Sequence, residues 1–242
     1  MRRRRNTSDG IGTVRRTPSW PGDPEGITAA DIDFEALAHV LANTCRFGGR
    51  TTRYHSLAAR AVIVSEEVEA LDGLDTGDRK RLALHALLAD APVAWMVGRD
   101  PESKKAADRA AKLTRGIEHA VREAAGLDPE LEKGHVELLR FVARMADAAE
   151  RRDLAGAGIP SEPGVAFPPL RRRIKPVDPD RAAKLWLARF HELSGWPRGG
   201  TGGASAGGNR AAEPGQGGKE HPVGEARTPG PEVERDGIRE AA

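Results

Sequence analysis

Residues 57–71, LAARAVIVSEEVEAL, carry an apolar side chain at every third or fourth position. The repeating positions are Leu57, Ala61, Val64, Val68 and Leu71. This spacing places the five side chains on one face of an α-helix, and the Asp72-Gly73 pair that follows favours a turn. The stretch therefore predicts a helix with a buried face.

The same periodicity predicts five more helices between residues 30 and 195. Their start signals are Asp33, Thr76, Ser103, Asp128-Pro129 and Asp178-Pro179. The predicted buried faces include Phe34, Leu37, Ala38 and Leu41 in the first of them, Val136, Leu139, Phe141, Val142 and Ala146 in the fourth, and Ala183, Leu187, Phe190 and Leu193 in the last. No segment alternates apolar and polar residues, so we predict an all-α helical bundle.

The two ends of the chain have a different composition. The chain has 242 residues with 28 Gly and 17 Pro, and no Phe, Trp or Tyr occurs from Pro197 to Ala242. Such segments cannot bury enough apolar surface to fold alone. We therefore predict a disordered basic arm at residues 1–29, a helical domain at 30–195 and a disordered Gly- and Pro-rich tail at 196–242.

Cysteine content and hydropathy exclude several protein classes. Cys45 is the only cysteine, so an internal disulfide and a Cys-based zinc site are excluded, and a reducing compartment, the cytoplasm, is favoured. Because Cys45 shares the apolar face of the first predicted helix, we expect a buried structural thiol rather than a reactive one. The most apolar window, Leu82 to Val97, is too short and too polar to cross a bilayer, so we expect no membrane partner.

The net charge of +2 is too small to imply a polyanionic partner, but the charges are unevenly distributed. Arg2 to Arg5, Arg15 and Arg16 form a basic arm ahead of the first apolar stripe. This arm has two interpretations: a flexible contact to nucleic acid whose affinity falls with salt, or a solvated disordered terminus.

No catalytic motif is evident from spacing alone, because the chain has no glycine-rich phosphate loop and no HExxH helix. Residues 45–49, CRFGG, and 54–58, YHSLA, resemble the opening of the HD-domain phosphohydrolases, in the branch of bacterial and phage 5′-deoxynucleotidase-like proteins. Residues 86–91, ALLADA, are similar to the ALLHDA of that branch, and residues 150–154 resemble its ERRDL. The resemblance runs from Ile32 to Leu193 and implies an HD-type helical bundle.

The resemblance also implies that most of the family's metal ligands are replaced in this sequence. In this family a His, a His-Asp pair and a distant Asp hold one divalent metal that orients the phosphate and activates water. In this sequence the first His falls on Arg60, the His of the pair on Ala89 and the distant Asp on Ala143, so that Asp90 alone remains. An acidic residue that follows the pair falls on Val93.

Three interpretations follow for this region. In the first, Arg60 pairs with Asp90 and fills a degenerate site that needs no cofactor, because an arginine donates hydrogen bonds and repels cations. In the second, His55, His85, Asp90 and Asp147 form a displaced site for Mn²⁺, Co²⁺ or Mg²⁺, and the chain is an active nucleotide phosphohydrolase. In the third, Asp90 is only a solvated or helix-capping residue.

By the resemblance, the positions nearest a nucleotide pocket are Arg46, Phe47, Gly48, Gly49, Arg53 and Arg60. An arginine fork suits phosphate and Phe47 suits a base. The alternative is architectural, with Arg46 bonding helix carbonyls, Phe47 in the core and the glycines turning the chain. We expect a non-hydrolytic homologue that binds a nucleotide or a protein partner. The family resemblance also implies a homodimer, and the basic arm keeps a nucleic-acid-associated scaffold as a further alternative.

Overall fold

A computed structural model of the chain describes residues 23–96, 103–155, 159 and 167–195. In these residues the fold is all-α, as the periodicity predicts, and strand pairing is limited to two isolated bridges. The α-helices are α1 (Phe34–Asn43), α2 (Leu57–Glu69), α3 (Thr76–Leu88), α4 (Val93–Met96), α5 (Lys104–Ala124), α6 (Lys133–Leu154) and α7 (Pro179–Ser194). Short 3₁₀ turns cover Ala29–Asp31 and Arg46–Gly49.

Helix α2 lies at the centre of the bundle, in contact with α1, α3, α6 and α7. All residues from Leu57 to Ser65 are buried, although the sequence predicts only one buried face. Ala and Val at these positions leave room for neighbouring helices on every side, and a helix that is apolar all round belongs inside a core. A charged side chain in its middle, Arg60, must therefore find partners inside the protein.

Two apolar clusters hold the helices around α2. The first joins α1 and α7, where Phe34 stacks on Phe190 with ring centroids 4.1 Å apart and Trp186 stacks on Phe190 at 5.7 Å. The indole Nε1 of Trp186 donates to the Leu87 carbonyl at 3.3 Å. The second cluster packs α2 and α3 against α6 around Val68, Leu82 and Ala146. These contacts fix the relative positions of the helices that carry the site.

Several helix starts agree with the predicted capping signals and two differ. Asp33 accepts from the backbone N–H groups of Glu35 and Ala36, and Asp178 accepts from that of Arg181. Ser103 caps α5 in the same way. Helix α3 is capped by Asp75 instead of Thr76, because the Asp75 carboxylate reaches two backbone N–H groups. Helix α6 begins at Lys133, four residues after the predicted Asp128-Pro129 start, because Asp128 caps a turn by accepting from Glu130 N.

Two burial predictions are wrong, and a third is incomplete. Cys45 is exposed, because α1 ends at Asn43 and the chain turns away before the cysteine. Phe141 on α6 is 47% exposed, because the buried stripe of that helix runs through Val142, Ala146 and Ala149. On α7 the predicted Phe190 is fully buried, and Ala183, Leu187 and Leu193 are partly buried against the first cluster, but the fully buried Ala182 and Trp186 were not predicted.

The predicted domain boundaries need one adjustment. Pro24 is buried and Ile27 packs against the first cluster, so the packed region begins before residue 30. The remainder of the predicted basic arm, with Arg2 to Arg5, and the predicted tail at 196–242 lie outside the described residues. None of the described helices combines the length and hydropathy that a membrane-spanning helix requires.

Candidate functional site

The Arg60 guanidinium is the centre of a network of ion pairs between α2, α6 and the turn after α3. Its Nη1 donates to Asp90 Oδ2 at 3.1 Å, and its Nη2 donates to Asp147 Oδ1 at 3.1 Å and to the Ala143 carbonyl at 3.4 Å. Its Nε lies 3.9 Å from Glu150 Oε1. Arg60 is 8% exposed, so its charge is neutralised almost entirely by protein groups.

A second arginine closes the network from the other side. Arg46 donates to Glu150 Oε2 from Nε at 3.2 Å and from Nη2 at 2.9 Å, and its Nη2 also donates to Asp147 at 2.8 Å. The two contacts to Glu150 converge on one oxygen. Two arginines are thus held against the three carboxylates of Asp90, Asp147 and Glu150, and we call these residues with His55 the arginine network.

Glu150 is fully buried, and three groups satisfy it. His55 Nε2 lies 3.0 Å from Glu150 Oε1, and since a carboxylate can only accept, this ring nitrogen carries the proton and donates. Burial acts to raise the pKa of Glu150, but the His55 hydrogen bond and the charges of Arg46 and Arg60 lower it, with a net lowering. Glu150 is therefore an ionised carboxylate inside the core.

The same balance holds for Arg60. Burial acts to lower the pKa of its guanidinium, and the charges of Asp90, Asp147 and Glu150 raise it by more. The side chain thus stays a cation although it lies in the middle of the central helix. Because a guanidinium has donors and no acceptor, no lone pair is left at this position for a metal.

Backbone bonds place these side chains. Arg46 N donates to the His55 carbonyl at 2.8 Å, and Leu57 N donates to the Thr44 carbonyl at 3.0 Å, so the segment 44–57 closes into a loop. Thr52 N donates to the Leu154 carbonyl at 3.0 Å, which fastens the loop to the end of α6. Arg46 and His55 are thereby carried to the carboxylates of α6.

The turn at Arg46–Gly49 has an unusual backbone. Phe47, Gly48 and Gly49 all have positive φ, at 51°, 60° and 77°. For a phenylalanine this conformation is strained, while glycine adopts it freely. The Phe47 ring is half-buried, with the guanidinium carbons of Arg46 and Arg151 at 4.7 and 5.2 Å from its centroid. The glycines therefore turn the chain, as the architectural interpretation has it, but Phe47 lies outside the core and Arg46 bonds carboxylates instead of helix carbonyls.

The structure brings together five of the residues singled out from the sequence. Arg46, Arg60, Asp90 and Asp147 are joined by direct ion pairs, and His55 joins them through Glu150. The predicted pair between Arg60 and Asp90 is confirmed. Arg53 lies on the exposed part of the loop, and no carboxylate of the described residues pairs with it. Glu150 is a site residue that the sequence analysis missed, although its spacing from Ala143 and Asp147 puts all three on one helix face.

His85 does not join this group. It is 2% exposed, and both ring nitrogens are buried without a hydrogen-bond partner. Burial and the nearby charges of Arg122 and Arg81 lower its pKa to about 4, with opposition from Asp128 and a small further lowering by His135. In the part of the chain that the structure describes, no group of three or more His, Cys, Asp or Glu side chains is arranged to hold a metal ion, so the displaced set of His55, His85, Asp90 and Asp147 is not assembled as a metal site.

The donor set does not fit a divalent metal. Among the described residues no group of three or more His, Cys, Asp or Glu side chains is arranged to hold an ion. At the three positions where the family resemblance expects further ligands stand a guanidinium at Arg60 and methyl groups at Ala89 and Ala143. The carboxylates that remain are paired with arginines, so a metal would have to displace a bound cation from each.

Comparison with known proteins adds one relative of undefined activity. No protein-family model matches the chain. An uncharacterized protein of Escherichia coli strain K12, YfdR, is 27% identical over 171 residues, which cover 69% of this chain and 88% of that protein. The chain is thus similar to YfdR over most of the length of YfdR.

Proposed function

We propose that this chain is a non-hydrolytic homologue of the HD-domain phosphohydrolases, in which the arginine network takes the place of the metal. One observation carries the proposal. The positions that the sequence resemblance equates with metal ligands, 60, 90 and 143, meet at one guanidinium, which contacts Asp90 at 3.1 Å and the Ala143 carbonyl at 3.4 Å. Residues separated by 30 and 83 positions would not be expected to converge if the correspondence were accidental.

The chemistry of the network supports binding without hydrolysis. Metal-assisted phosphate hydrolysis needs an ion with open coordination positions and an activated water. Arg60 supplies a fixed positive charge in place of the ion, and its donors are directed at carboxylates of the protein. A guanidinium cannot lower the pKa of a bound water as a coordinated metal does. Val93, which stands where the resemblance expects an acidic residue, has no group for proton transfer, and the Asp90 carboxylate is paired with Arg60.

The binding surface in this proposal is the loop at residues 46–53, and its ligand is a nucleotide. Gly48, Gly49, Arg50 and Arg53 are exposed, next to the half-buried ring of Phe47. No described carboxylate pairs with Arg50 or Arg53, so both guanidiniums are free to take a phosphate. Arg60, by contrast, is occupied by the protein and holds the network together.

The test begins with wild-type protein that has been stripped with a chelator and offered Mn²⁺, Co²⁺ or Mg²⁺. We expect no stoichiometric metal and no turnover of nucleoside mono- or triphosphates. Stoichiometric metal together with turnover that is lost in Asp90→Ala would refute the proposal and favour an active phosphohydrolase.

Nucleotide binding is tested separately by calorimetry with deoxynucleoside and ribonucleoside monophosphates. We expect binding that weakens by about tenfold in Arg53→Ala, because a charge-assisted hydrogen bond contributes roughly 1.5 kcal/mol. Arg171→Ala removes an equally exposed arginine elsewhere and serves as the matched control. Equal loss in both variants, or no binding by wild type, would contradict the nucleotide assignment. The mass of the protein in solution, from light scattering, tests the homodimer that the resemblance implies.

A further inference from the structure

We propose that the first half of α5 binds duplex DNA through the phosphate backbone. Five basic residues lie on this part of the helix, Lys104, Lys105, Arg109, Lys112 and Arg115, against one acidic residue, Asp108. At 100° per residue all six fall within an arc of about 140°, while Ala106, Ala110 and Leu113 face the opposite way. The helix therefore presents a single basic face.

This face is open to the surroundings. All five cations are exposed, and none of the α5 residues before Ile117 is buried. Arg109 pairs with Glu25, but no carboxylate of the described residues pairs with Lys104, Lys105, Lys112 or Arg115. With Asp108 on the same face, a net charge of +3 remains along about 17 Å of helix, a length over which B-DNA presents roughly ten phosphates.

The position of two of these lysines works against the helix itself. Lys104 and Lys105 occupy the first turn of α5, which contains no acidic residue. The positive end of the helix dipole lies there, and it favours acidic residues while it disfavours lysine. A choice of residues that opposes local stability is a sign of a binding function when a ligand supplies the missing negative charge.

The same basic face is unsuited to a membrane surface and to a protein partner. Membrane-surface helices flank their basic face with large apolar side chains, but the one large apolar residue on this part of α5 is the half-buried Leu113, and Ile117 and Val121 further along are buried in the core. Protein interfaces are enriched in aromatic residues and depleted in lysine, and the basic face carries lysines and no aromatic residue. A polyphosphate backbone matches it best, and the 10–12 Å diameter of a helix fits the major groove of DNA, which is about 12 Å wide.

The experiment measures fluorescence anisotropy of a labelled duplex of about 24 base pairs as full-length protein is added between about 50 and 200 mM salt. The variant Lys104→Gln/Lys105→Gln/Lys112→Gln/Arg115→Gln removes the four free charges with little change in helix propensity. If each contacts a phosphate, the slope of log K against log salt becomes shallower by about 3.6. Over that salt range wild type then loses roughly 150-fold more affinity than the variant.

Two further variants separate this surface from other sources of charge. Lys80→Gln/Arg171→Gln/Lys175→Gln/Lys184→Gln removes the same charge from exposed positions elsewhere, and we expect it to leave the slope unchanged. In a chain with Arg2 to Arg5 changed to Gln, the α5 substitutions should still reduce the slope. Equal effects of the two quadruple variants, loss of the α5 effect in that background, or no binding of the duplex by wild type would each overturn the proposal.

A last variant is designed to raise the stability of the protein and to lower its affinity for DNA. Lys104→Glu/Lys105→Glu places acidic residues at the positive end of the helix dipole, so the Tm should rise by about 2–4 °C while DNA affinity falls. A raised Tm shows that the protein is folded, so the loss of affinity cannot come from unfolding. Undiminished DNA binding in this variant, or stronger binding of wild type to vesicles containing phosphatidylserine than to DNA, would refute the assignment.

Discussion

Replacement of Arg60 by methionine tests the arginine network most severely. Methionine keeps a shorter, unbranched apolar side chain in the middle of α2 and removes the guanidinium that contacts Asp90, Asp147 and Glu150. The helix itself should tolerate the change, since methionine and arginine have similar helix propensities. Any large loss of stability then comes from the carboxylates that lose their partner.

The expected size of that loss follows from the burial of each partner. Removal of one member of a buried ion pair costs about 3–5 kcal/mol, because the other charge stays in the core without compensation. In this site the side chains of Asp90 and Asp147 are 23% and 25% exposed and regain some water. Asp147 keeps its pair with Arg46, and Glu150 keeps Arg46 and His55. We therefore expect the lower end of the range, about 3 kcal/mol in the free energy of unfolding.

The loss should depend on pH in a defined direction. The pKa of Glu150 is lowered in the folded protein, so its ionisation stabilises the fold above its ordinary titration range, and this stabilisation disappears as the pH falls through the folded pKa. Arg60 is one of the charges that lower this pKa. The difference between wild type and Arg60→Met should therefore be largest near pH 7 and smaller at pH 4.

Urea denaturation at both pH values measures this difference, with Arg171→Met as the control for removal of an exposed arginine. The control should change the free energy of unfolding by less than about 0.5 kcal/mol. A loss below about 1 kcal/mol for Arg60→Met at pH 7 would refute the reasoning, because such a value is typical of exposed pairs. A loss of the same size at both pH values would also refute it.

Three smaller changes test other parts of the fold. The pKa of the buried His85 is lowered to about 4, so wild type should lose roughly 2 kcal/mol of stability as the pH falls from 6.5 towards 4. In urea titrations His85→Leu should remove most of this pH dependence. An unchanged pH profile in the variant would show that another group is responsible. Gly116→Ala should raise the free energy of unfolding by about 0.5–1 kcal/mol, because alanine has the higher helix propensity and its methyl group would have no neighbouring atom within 4 Å. A lowered Tm would contradict this. Asp178→Ala should lower the free energy of unfolding by about 1 kcal/mol, because α7 loses the carboxylate that accepts a hydrogen bond from Arg181 N. A change near zero in thermal unfolding would mean that Pro179 alone sets the start of the helix.

The helices could be predicted from the sequence because apolar spacing and capping residues are local signals. Asp33, Ser103 and Asp178 cap helices where the sequence indicates. The shifted starts of α3 and α6 arise from competition between neighbouring polar residues, since Asp75 precedes Thr76 and Asp128 caps a turn of its own. Such competition is decided by one or two hydrogen bonds, and periodicity does not record it.

The site could be predicted only in part, for a different physical reason. The Arg60–Asp90 pair follows once a buried arginine and an unpaired carboxylate are assigned to one site. Glu150 was missed because a glutamate beside two arginines, in the ERRDL segment, is typical of a solvated helix end. It is buried because the loop at 44–57 is fastened over the end of α6. That long-range contact has no counterpart in local spacing.

The measurement that tests the proposed function most directly is the metal content of a chain into which the ligands of the HD-domain phosphohydrolases are introduced. The variant Arg60→His/Ala89→His/Ala143→Asp adds two imidazoles and a carboxylate around the existing Asp90, and it is offered Mn²⁺ or Co²⁺ beside wild type after chelator treatment. If Arg60 stands at the metal position, the variant takes up about one equivalent of metal by mass spectrometry and its Tm rises with metal, while wild type takes up none. A folded variant that binds no metal, or wild type that binds one equivalent, would contradict the account.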